Sequence, residues 1–214
     1  TDGLAYLLRG RKKYTKLFAK SYGKHAVESL MGVISLLHQQ DPIPNPRIWL
    51  SDTERKNAIN KLLRLGNKNR LLALCVGDIR RPVKCWDADK FTELLKIQKE
   101  NFSGVIFLGG HLDAERTGEV ASRINMPYIN TIGSSLLETA AFLEHSILYV
   151  GPDSGVGHIA AAVKTPVISF FSVDNPERCR PWGRSVICLK GDNNDARNIS
   201  IENVNSSIQE ILNE

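Results

Sequence analysis

The sequence lacks the features that define several large classes of protein. No apolar run approaches the roughly 20 residues that a membrane-spanning helix requires. The four cysteines form no CxxC pair and no zinc-ligand spacing. Two of them, Cys75 and Cys188, lie in apolar runs, where a reduced cysteine serves as a small core residue. These absences favour a protein of the reducing cytoplasm over a disulfide-linked, zinc-binding or membrane-spanning one.

Motifs of several enzyme classes are absent as well. The sequence has no P-loop and no G-x-S-x-G nucleophile elbow. Ser154 and His158 stand four residues apart on one predicted helix and could not readily adopt the geometry of a hydrolase triad. Asp87-Ala88-Asp89 has the DxD pattern of metal-dependent sugar transferases, but it opens a predicted helix, where an N-cap role explains it better. We therefore predict no metal site.

The charge of the chain is concentrated at its N-terminal end. The sequence has 28 Lys and Arg against 23 Asp and Glu, and residues 1–24 hold seven of the basic side chains but one of the acidic ones. The remainder is therefore nearly neutral. A basic segment of this kind suits contact with anionic lipid or phosphate, and a solvated basic helix explains it equally well. We predict peripheral membrane contact through this segment, and no nucleic acid among the partners.

A proline-rich linker over residues 41–46 is the best domain boundary in the chain. Before it, apolar residues at helical spacing predict two helices, over about residues 10–21 and 24–39. We therefore divide the chain into a helical segment of residues 1–44 and a larger domain of residues 45–214.

The larger domain begins with a predicted short strand, Arg47–Leu50, and a helix whose start, Ser51-Asp52-Thr53-Glu54, matches a capping box. Beyond residue 66, short β-prone runs alternate with patterns of helical periodicity. The predicted strands span residues 71–76, 104–108, 127–130, 147–150, 167–171 and 186–189, and the predicted helices span 87–99, 114–124, 135–143 and 201–212, with a further helix between Ser154 and Pro166. This alternation predicts βαβ units and hence an α/β fold, a Rossmann-like parallel sheet with helices on both faces.

Loops rich in glycine and charge follow four of these strands, at residues 77–84, 109–115, 131–135 and 152–155. Because ligands of open α/β sheets bind outside the carboxyl ends of the strands, we expect the four loops to converge on one crevice. Basic side chains there would neutralise phosphate, backbone N–H groups would cradle it, and a carboxylate would accept hydrogen bonds from ribose. Together the loops predict a nucleotide site, although each alone could be an ordinary solvated loop.

The fourth loop is the strongest candidate for binding phosphate. Asp153-Ser154-Gly155 stands directly before a predicted helix, which would bring free backbone N–H groups and a partial positive charge to the edge of the sheet. His158, further along that helix, could belong to this site or be an ordinary half-buried helix residue. Glu115 in the second loop could equally be a first-turn helix charge.

The same stretch carries a family resemblance. Residues 153–162, Asp-Ser-Gly-Val-Gly-His-Ile-Ala-Ala-Ala, followed by Thr165-Pro166 and an apolar run, resemble the D-[ST]-G-x-x-H-x-A-A signature of the family 9 glycosyltransferases, the lipopolysaccharide heptosyltransferases. Lys84-Cys85-Trp86, with Phe91 and Leu94 at the matching spacing, resembles their K-x-W-x-x-x-x-F-x-x-L segment. The resemblance covers about residues 45–190.

The resemblance implies an inverting enzyme of the GT-B fold, in which two Rossmann-like domains face each other across a cleft. The C-terminal domain of such an enzyme binds a nucleotide-sugar donor, typically ADP-heptose, with no metal and no cofactor. Residues 45–214 would be this donor-binding domain, and residues 1–44 the helical remnant of the N-terminal, acceptor-binding domain. The general base would belong to the N-terminal domain, so we expect it outside this chain.

The resemblance also implies roles for individual residues. Lys84 would neutralise the donor phosphates, with Arg80 as a helper, and Asp153-Ser154-Gly155 with the helix that carries His158 would hold the pyrophosphate and sugar. Other contacts would follow from the second and third loops. The residues implied there are Asp113 or Glu115 for ribose or sugar hydroxyls, and the loop from Thr131 to Ser135 for the adenine.

The function implied is transfer of a sugar from the nucleotide donor to a lipopolysaccharide-core or related glycan acceptor, on the inner face of the cytoplasmic membrane. Two alternatives stay open. One is a non-catalytic module that binds nucleotide sugars, which the missing base would favour. The other is a sugar-nucleotide epimerase or hydrolase of GT-B type, which would need catalytic carboxylates within this chain.

Overall fold

The computed structural model describes residues 24–34, 42–66 and 70–213. The helix predicted over residues 10–21 lies outside these ranges, as does the end of the helix predicted over residues 24–39. Contacts divide the chain into two compact units. Their bounds are Thr1–Asn45 with Glu177–Cys179 for the first, and Pro46–Pro176 with Arg180–Glu214 for the second.

In the first unit, helix α1 spans Ala26–Ile34, within the second predicted helix. At its start the backbone N–H of His25 donates to Oε2 of Glu28 at 2.9 Å. Lys24 pairs with Glu177 at 3.0 Å, and because both side chains are well exposed this pair contributes little to stability. The assignment of residues 1–44 to the end of an acceptor domain stays a prediction.

The second unit is built on one sheet of six parallel strands. They are β1 (Leu71–Leu74), β2 (Gly104–Phe107), β3 (Tyr128–Asn130), β4 (Leu148–Pro152), β5 (Val167–Phe171) and β6 (Val186–Lys190). Their spatial order is β3-β2-β1-β4-β5-β6. This is the doubly wound Rossmann order, in which β1 and β4 flank the point where the winding reverses. The predicted parallel α/β fold is confirmed.

The helices that follow α1 lie close to their predicted positions, except for a short helix at Pro176–Cys179 that the sequence does not predict. They are α2 (Asp52–Leu62), α3 (Ala88–Ile97), α4 (Ala114–Ala121), α5 (Leu136–Glu144), α6 (Gly155–Ala162), α7 (Pro176–Cys179) and α8 (Ile201–Leu212). The capping box of α2 is confirmed: Oγ of Ser51 accepts from the Glu54 N–H at 3.3 Å, and Oε2 of Glu54 accepts from the Ser51 N–H at 2.6 Å. Among the described helices, none is long and apolar enough to cross a membrane.

Helices cover both faces of the sheet, as predicted. Along β4, Leu148 and Val150 pack into one apolar layer and Tyr149 packs into the other, which is the alternation of side chains in a strand. The first layer is completed by α3, α4 and α8, and the second by α2, α5 and α6. Because both faces are buried, the four central strands β1, β2, β4 and β5 are largely apolar runs that are buried throughout.

Arg47–Leu50 is not a strand, contrary to the prediction. Leu50 is buried and Ile48 packs against the same layer as α2, whereas Trp49 is 83% exposed. The Leu50 carbonyl accepts a hydrogen bond from Nη1 of Arg55 at 2.8 Å. Packing and a side-chain hydrogen bond therefore hold this segment without sheet pairing.

Strand β4 continues through Gly151-Pro152, where the sequence predicts that it stops. These two residues pair with Ser169 and Phe170 of β5. Pro152 is tolerated because its missing N–H would face β1, whose pairing with β4 ends at Val150. The turn after β4 therefore starts at the very edge of the sheet.

Candidate functional site

A cavity of about 340 Å³ opens at the carboxyl edge of the sheet, beside the ends of β1 and β4. Its walls come from the loops after β1 and β2, from the start of α5, and from the turn that joins β4 to α6. The structure thus brings together the four loops that the sequence predicts to converge, because the carboxyl ends of parallel strands meet at one edge.

The loop after β1 turns back at Gly77. Its φ of +95° is strained for any residue with a side chain, and a Cβ there would lie 2.7 Å from Sγ of Cys85. Across the turn, that Sγ lies 3.1 Å from the carbonyl oxygen of Asp78. The close packing holds the loop as a compact turn that ends in a short 3₁₀ helix, Pro82–Lys84.

Trp86 anchors the end of this loop in the core. It is completely buried, with its ring centroid 5.0 Å from that of Phe91 and 5.2 Å from that of Phe170. Its indole N–H donates to the carbonyl of Ile199 at 2.8 Å, so its one polar group is satisfied. Since Lys84 stands two residues before this anchor, the position of its backbone is set by the tryptophan.

Lys84 is a partly shielded cation that lines the cavity, with 24% of its side chain exposed. Its Nζ donates a hydrogen bond to Asp174, which follows β5, and lies 3.6 Å from Oδ2 of Asp153. The bond to Asp174, supported by the charge of both carboxylates, raises the pKa of Lys84, and partial burial opposes that rise. Lys84 is therefore fully charged at neutral pH.

The two carboxylates respond differently to this lysine. Burial raises the pKa of Asp153, and the attraction of Lys84 offsets that rise only in part. The hydrogen bond from Lys84 lowers the pKa of Asp174, which is more exposed. The Lys84–Asp174 contact is therefore the tighter ion pair, while Asp153 is a more buried carboxylate beside the same cation.

Helix α6 begins at the wall of the cavity. The N–H of Asp153 still donates to the Phe170 carbonyl of β5 at 2.8 Å, so the chain leaves the sheet only after this residue. A Cβ at Gly155, the first residue of α6, would meet no described atom within 4 Å. The first N–H groups of α6 therefore adjoin open space, where a helix N-terminus attracts an anion.

Asp113 is the carboxylate that the loop after β2 contributes to the cavity. Its Oδ2 accepts a hydrogen bond from the N–H of Gly110 at 2.6 Å. Burial raises the pKa of Asp113, the Gly110 bond lowers it, and the charge of Asp78 raises it further. Its proposed contact with ribose or sugar hydroxyls stays a prediction.

Arg80 is not among the residues that line the cavity, whereas the neighbouring Arg81 is. The guanidinium of Arg80 turns back to Asp78, with Nη2 2.8 Å from Oδ2, and 61% of its side chain is exposed. This pairing lowers the pKa of Asp78 to about 2. Arg81 is not among the residues predicted from the sequence. Which of the two arginines pairs with Asp78 and which lines the cavity depends on the path of the loop, which the local sequence does not show.

Four more of the predicted donor-binding residues are absent from the described cavity lining. The hydroxyl of Thr131 is buried and donates to a carbonyl of β2 at 2.7 Å, and Oγ of Ser135 caps α5 by accepting from a first-turn N–H at 3.2 Å. Glu115 and His158 are exposed on α4 and α6. The charge of His158 nevertheless lowers the pKa of Asp153, so this histidine lies within electrostatic reach of the site.

Asp174 is a second site residue, besides Arg81, that is not predicted from the sequence. It follows β5, whose carboxyl end lies beside that of β4. The rule that places ligands at the ends of parallel strands applies to this fifth loop as much as to the other four. Extending it to residues 172–175 would have found Asp174.

The Asp87-Ala88-Asp89 segment is separate from the cavity. Asp87 stands at the N-cap of α3, as predicted, but its carboxylate makes no capping hydrogen bond to the described helix. Asp89, in the first turn, pairs instead with Arg123 at 2.6 Å. Neither carboxylate lines the cavity.

The sheet order and this site define a Rossmann-type α/β domain with a crevice at its switch point, lined by Lys84 and the start of α6. Comparison with known sequences gives the family. The chain belongs to glycosyltransferase family 9 (heptosyltransferase), whose sequence model matches residues 3–209. The resemblance found in residues 153–162 and in the Lys84 segment is confirmed.

Two curated proteins illustrate the relationship. The chain is 31% identical to lipopolysaccharide heptosyltransferase 3 of Escherichia coli (strain K12) over 181 residues, which cover 83% of this chain and 52% of that protein. It is 24% identical to lipopolysaccharide heptosyltransferase 2 of the same strain over 155 residues, 68% of this chain and 44% of that protein. The chain thus spans about half the length of the curated relatives it matches.

Solved structures support the fold. The family 9 glycosyltransferase of Veillonella parvula DSM 2008 superposes with a TM-score of 0.82 at 20% identity, covering 94% of this chain and 62% of that one. The ADP-heptose lipopolysaccharide heptosyltransferase II of E. coli superposes with a TM-score of 0.70 at 21% identity, covering 81% and 55%. These likenesses confirm the predicted relation to one half of a GT-B fold.

Proposed function

We propose that this chain provides the donor-binding half of an inverting heptosyltransferase, which transfers heptose from ADP-heptose to a lipopolysaccharide-core or related glycan acceptor. One observation carries the proposal: Lys84 meets the Asp153-Ser154-Gly155 turn and the N-terminus of α6 in a single cavity at the switch point of the sheet. The choice of sugar and acceptor is supported by the family and by the names of the curated relatives.

The charges of the cavity suit this chemistry. Direct displacement at an anomeric carbon releases a nucleoside diphosphate, so the donor side must stabilise growing negative charge. Lys84 supplies a full positive charge, and the first turn of α6 supplies backbone donors. Both are held in place before a ligand arrives, Lys84 by two carboxylates and the turn by its hydrogen bond to β5.

The other donor contacts are assigned by position. Asp113, which lines the cavity, would accept hydrogen bonds from ribose or sugar hydroxyls. Ser134 and Leu136 also line it, and they would flank the adenine together with the loop from Thr131 to Ser135. Arg81 takes the helper role that the sequence analysis gives to Arg80.

The acceptor side of the proposal depends on the family resemblance. The general base would come from an N-terminal acceptor domain, of which residues 1–44 would form the last helices. The basic segment, residues 1–24, would provide peripheral contact with the inner face of the cytoplasmic membrane through attraction to anionic lipid.

Calorimetric titration of the chain with ADP tests the proposal. We expect ADP to bind, GDP and UDP to bind more weakly, and EDTA to leave the ADP affinity unchanged, because the cavity neutralises phosphate with protein groups. Absence of binding by both ADP and ADP-heptose would refute the donor site. A loss of binding in EDTA would instead show that a metal ion takes part and would contradict the metal-free site.

A turnover assay with ADP-heptose and a heptose-bearing core acceptor complements the titration. Without the expected base, the 214-residue chain should bind the donor and form no product. Product formation would show that one of the cavity carboxylates serves as the base.

Replacing Asp174 by asparagine is expected to strengthen ADP binding. In the free protein this carboxylate takes a hydrogen bond from Lys84, so it competes with phosphate for the ammonium. Asparagine keeps the size of the side chain and removes its charge. Because partly exposed pairs of this kind contribute up to about 1 kcal/mol, the gain should be about two- to fivefold by calorimetry.

Asp89→Asn is the matched control, since Asp89 also pairs with a basic residue but lies on α3, outside the cavity lining. Its ADP affinity should equal that of the unmodified chain. Weaker binding by Asp174→Asn would contradict the competition and indicate that Asp174 itself contacts the ligand.

A further inference from the structure

Besides that of Ser172, which follows β5, three shielded hydroxyl groups at the carboxyl ends of β4 and β5 have no hydrogen-bond partner of good geometry among the described residues. They belong to Tyr149, Ser154 and Ser169, and the first and last of these residues are 0% exposed. Ser169 is paired in register with Gly151, so Tyr149 and Ser169 are diagonal neighbours on one face of the sheet. Buried polar groups are almost always paired, and three unpaired hydroxyls in one place require an explanation.

The ring of Tyr149 lies between the end of β4 and the first turn of α6. A Cβ at Gly151 would lie 2.5 Å from Oη of Tyr149, and a Cβ at Gly157 would lie 3.4 Å from its ring atom Cε1. Burial raises the pKa of Tyr149 well above its usual value, the thiol of Cys75 adds to that rise, and the hydroxyl of Ser154 opposes it, so both Cys75 and Ser154 are neighbours of the tyrosine hydroxyl. Tyr149 therefore supports the turn at Ser154 from the core side.

Ser154 stands at the N-cap of α6 but does not cap it. A serine in this position usually accepts a hydrogen bond from a backbone N–H in the first turn. Here the backbone is extended, with φ −155° and ψ 167°, and no such bond forms with the described helix. Oγ of Ser154 is shielded, without a partner among the described groups, and the residue lines the cavity. The hydroxyl of Ser154 is thus available to bond with a group outside α6.

We propose that Tyr149 is a positioning residue of the donor site, whose hydroxyl donates to Oγ of Ser154 so that Ser154 presents its own proton to a phosphate of the bound nucleotide. This inference rests on the proposed function. Tyr149 does not line the cavity and acts only through Ser154. In such a chain of two hydroxyls each hydrogen bond polarises the next, which strengthens the bond to phosphate.

A double-mutant cycle tests this inference on the full 214-residue chain, with Tyr149→Phe, Ser154→Ala and the double variant titrated with ADP in a calorimeter. Ser154→Ala should weaken ADP binding about 10- to 100-fold, the effect of losing one hydrogen bond to a charged group, and Tyr149→Phe about three- to tenfold, the effect of losing one hydrogen bond between neutral groups. The double variant should bind no more weakly than Ser154→Ala, because Tyr149 has no role once the serine hydroxyl is gone. A tyrosine with a purely structural role would not show this coupling with Ser154 in ADP binding.

Thr117→Val is the matched control, since Thr117 is also completely buried with a hydroxyl that has no described partner, and it does not line the cavity. Its ADP affinity should not change. The melting temperature of Tyr149→Phe should fall by no more than about 4 °C, because the ring stays packed and only one hydrogen bond between neutral groups is lost.

Two results would overturn the inference: unchanged ADP affinity in Tyr149→Phe, or losses that multiply in the double variant. If the unmodified chain does not bind ADP, the proposed function itself fails and the inference falls with it. The two failures are therefore distinguishable from one set of titrations.

Discussion

Replacing Lys84 by alanine is expected to weaken ADP binding about 100-fold, the largest effect that a single side chain of the cavity should produce. Lys84 is the lysine among the residues that line the described cavity, and its raised pKa keeps it charged. A hydrogen bond to a charged group contributes about 1.5–3 kcal/mol, and a loss of about 2.7 kcal/mol corresponds to 100-fold. Calorimetric titration measures the change directly.

The carboxylates around Lys84 enlarge the effect. In the variant, Asp153 and Asp174 would face the phosphates without the cation that now lies beside both. Like charges at short range in a partly shielded site repel more strongly than in bulk water. The loss in Lys84→Ala should therefore exceed that of a lysine with no acidic neighbours.

Arg80→Ala is the control for this prediction. Arg80 belongs to the same loop, but its guanidinium is paired with Asp78 and lies outside the cavity lining. Its ADP affinity should stay within about twofold of the unmodified chain, as expected of an exposed pair. Equal affinities of Lys84→Ala and the unmodified chain would rule out the phosphate assignment.

The second large effect is on stability. Trp86→Ala should lower the free energy of unfolding by about 4 kcal/mol, because it removes a completely buried ring and leaves a cavity in the core. The carbonyl of Ile199 would also lose the indole N–H that it accepts at 2.8 Å. For a chain of this size the melting temperature should fall by roughly 10 °C. Thermal and urea unfolding measure both quantities.

Trp49→Ala is the matched control, because Trp49 is 83% exposed. Its free energy of unfolding should change by no more than about 0.5 kcal/mol, the usual range for surface substitutions. If the two tryptophan variants proved equally stable, Trp86 could not be the anchor that holds the Lys84 loop.

Much of the fold could be predicted from the sequence because the signals are short-range. The capping box joins Ser51 and Glu54, three residues apart, and the structure shows both of its hydrogen bonds. Apolar runs that alternate with helical periodicity predict a parallel sheet covered on both faces, since each strand must bury both of its sides. The loops that carry Lys84 and Asp153 could be selected from the same pattern, because parallel strand ends converge in any such sheet, and the family resemblance singled out Lys84.

Long-range pairing decides what local patterns leave open. Arg47–Leu50 is predicted to be a strand, but it makes no sheet pairing and packs against the layer of α2. Arg80 and Arg81 are adjacent basic residues that the local sequence does not distinguish. The turn pairs Arg80 with Asp78 and places Arg81 in the cavity lining. These outcomes depend on which surfaces meet after folding.

The sequence by itself therefore determined the elements of this protein, its family and the loops that carry its site. Only the tertiary structure decided which side chains act together there. Asp174 reaches Lys84 across 90 residues because β5 lies beside β4, and Tyr149 meets Ser154 because α6 packs back over the end of its own strand. Local periodicity reports the burial of a residue, whereas its partners are set by strand order and by the path of each loop.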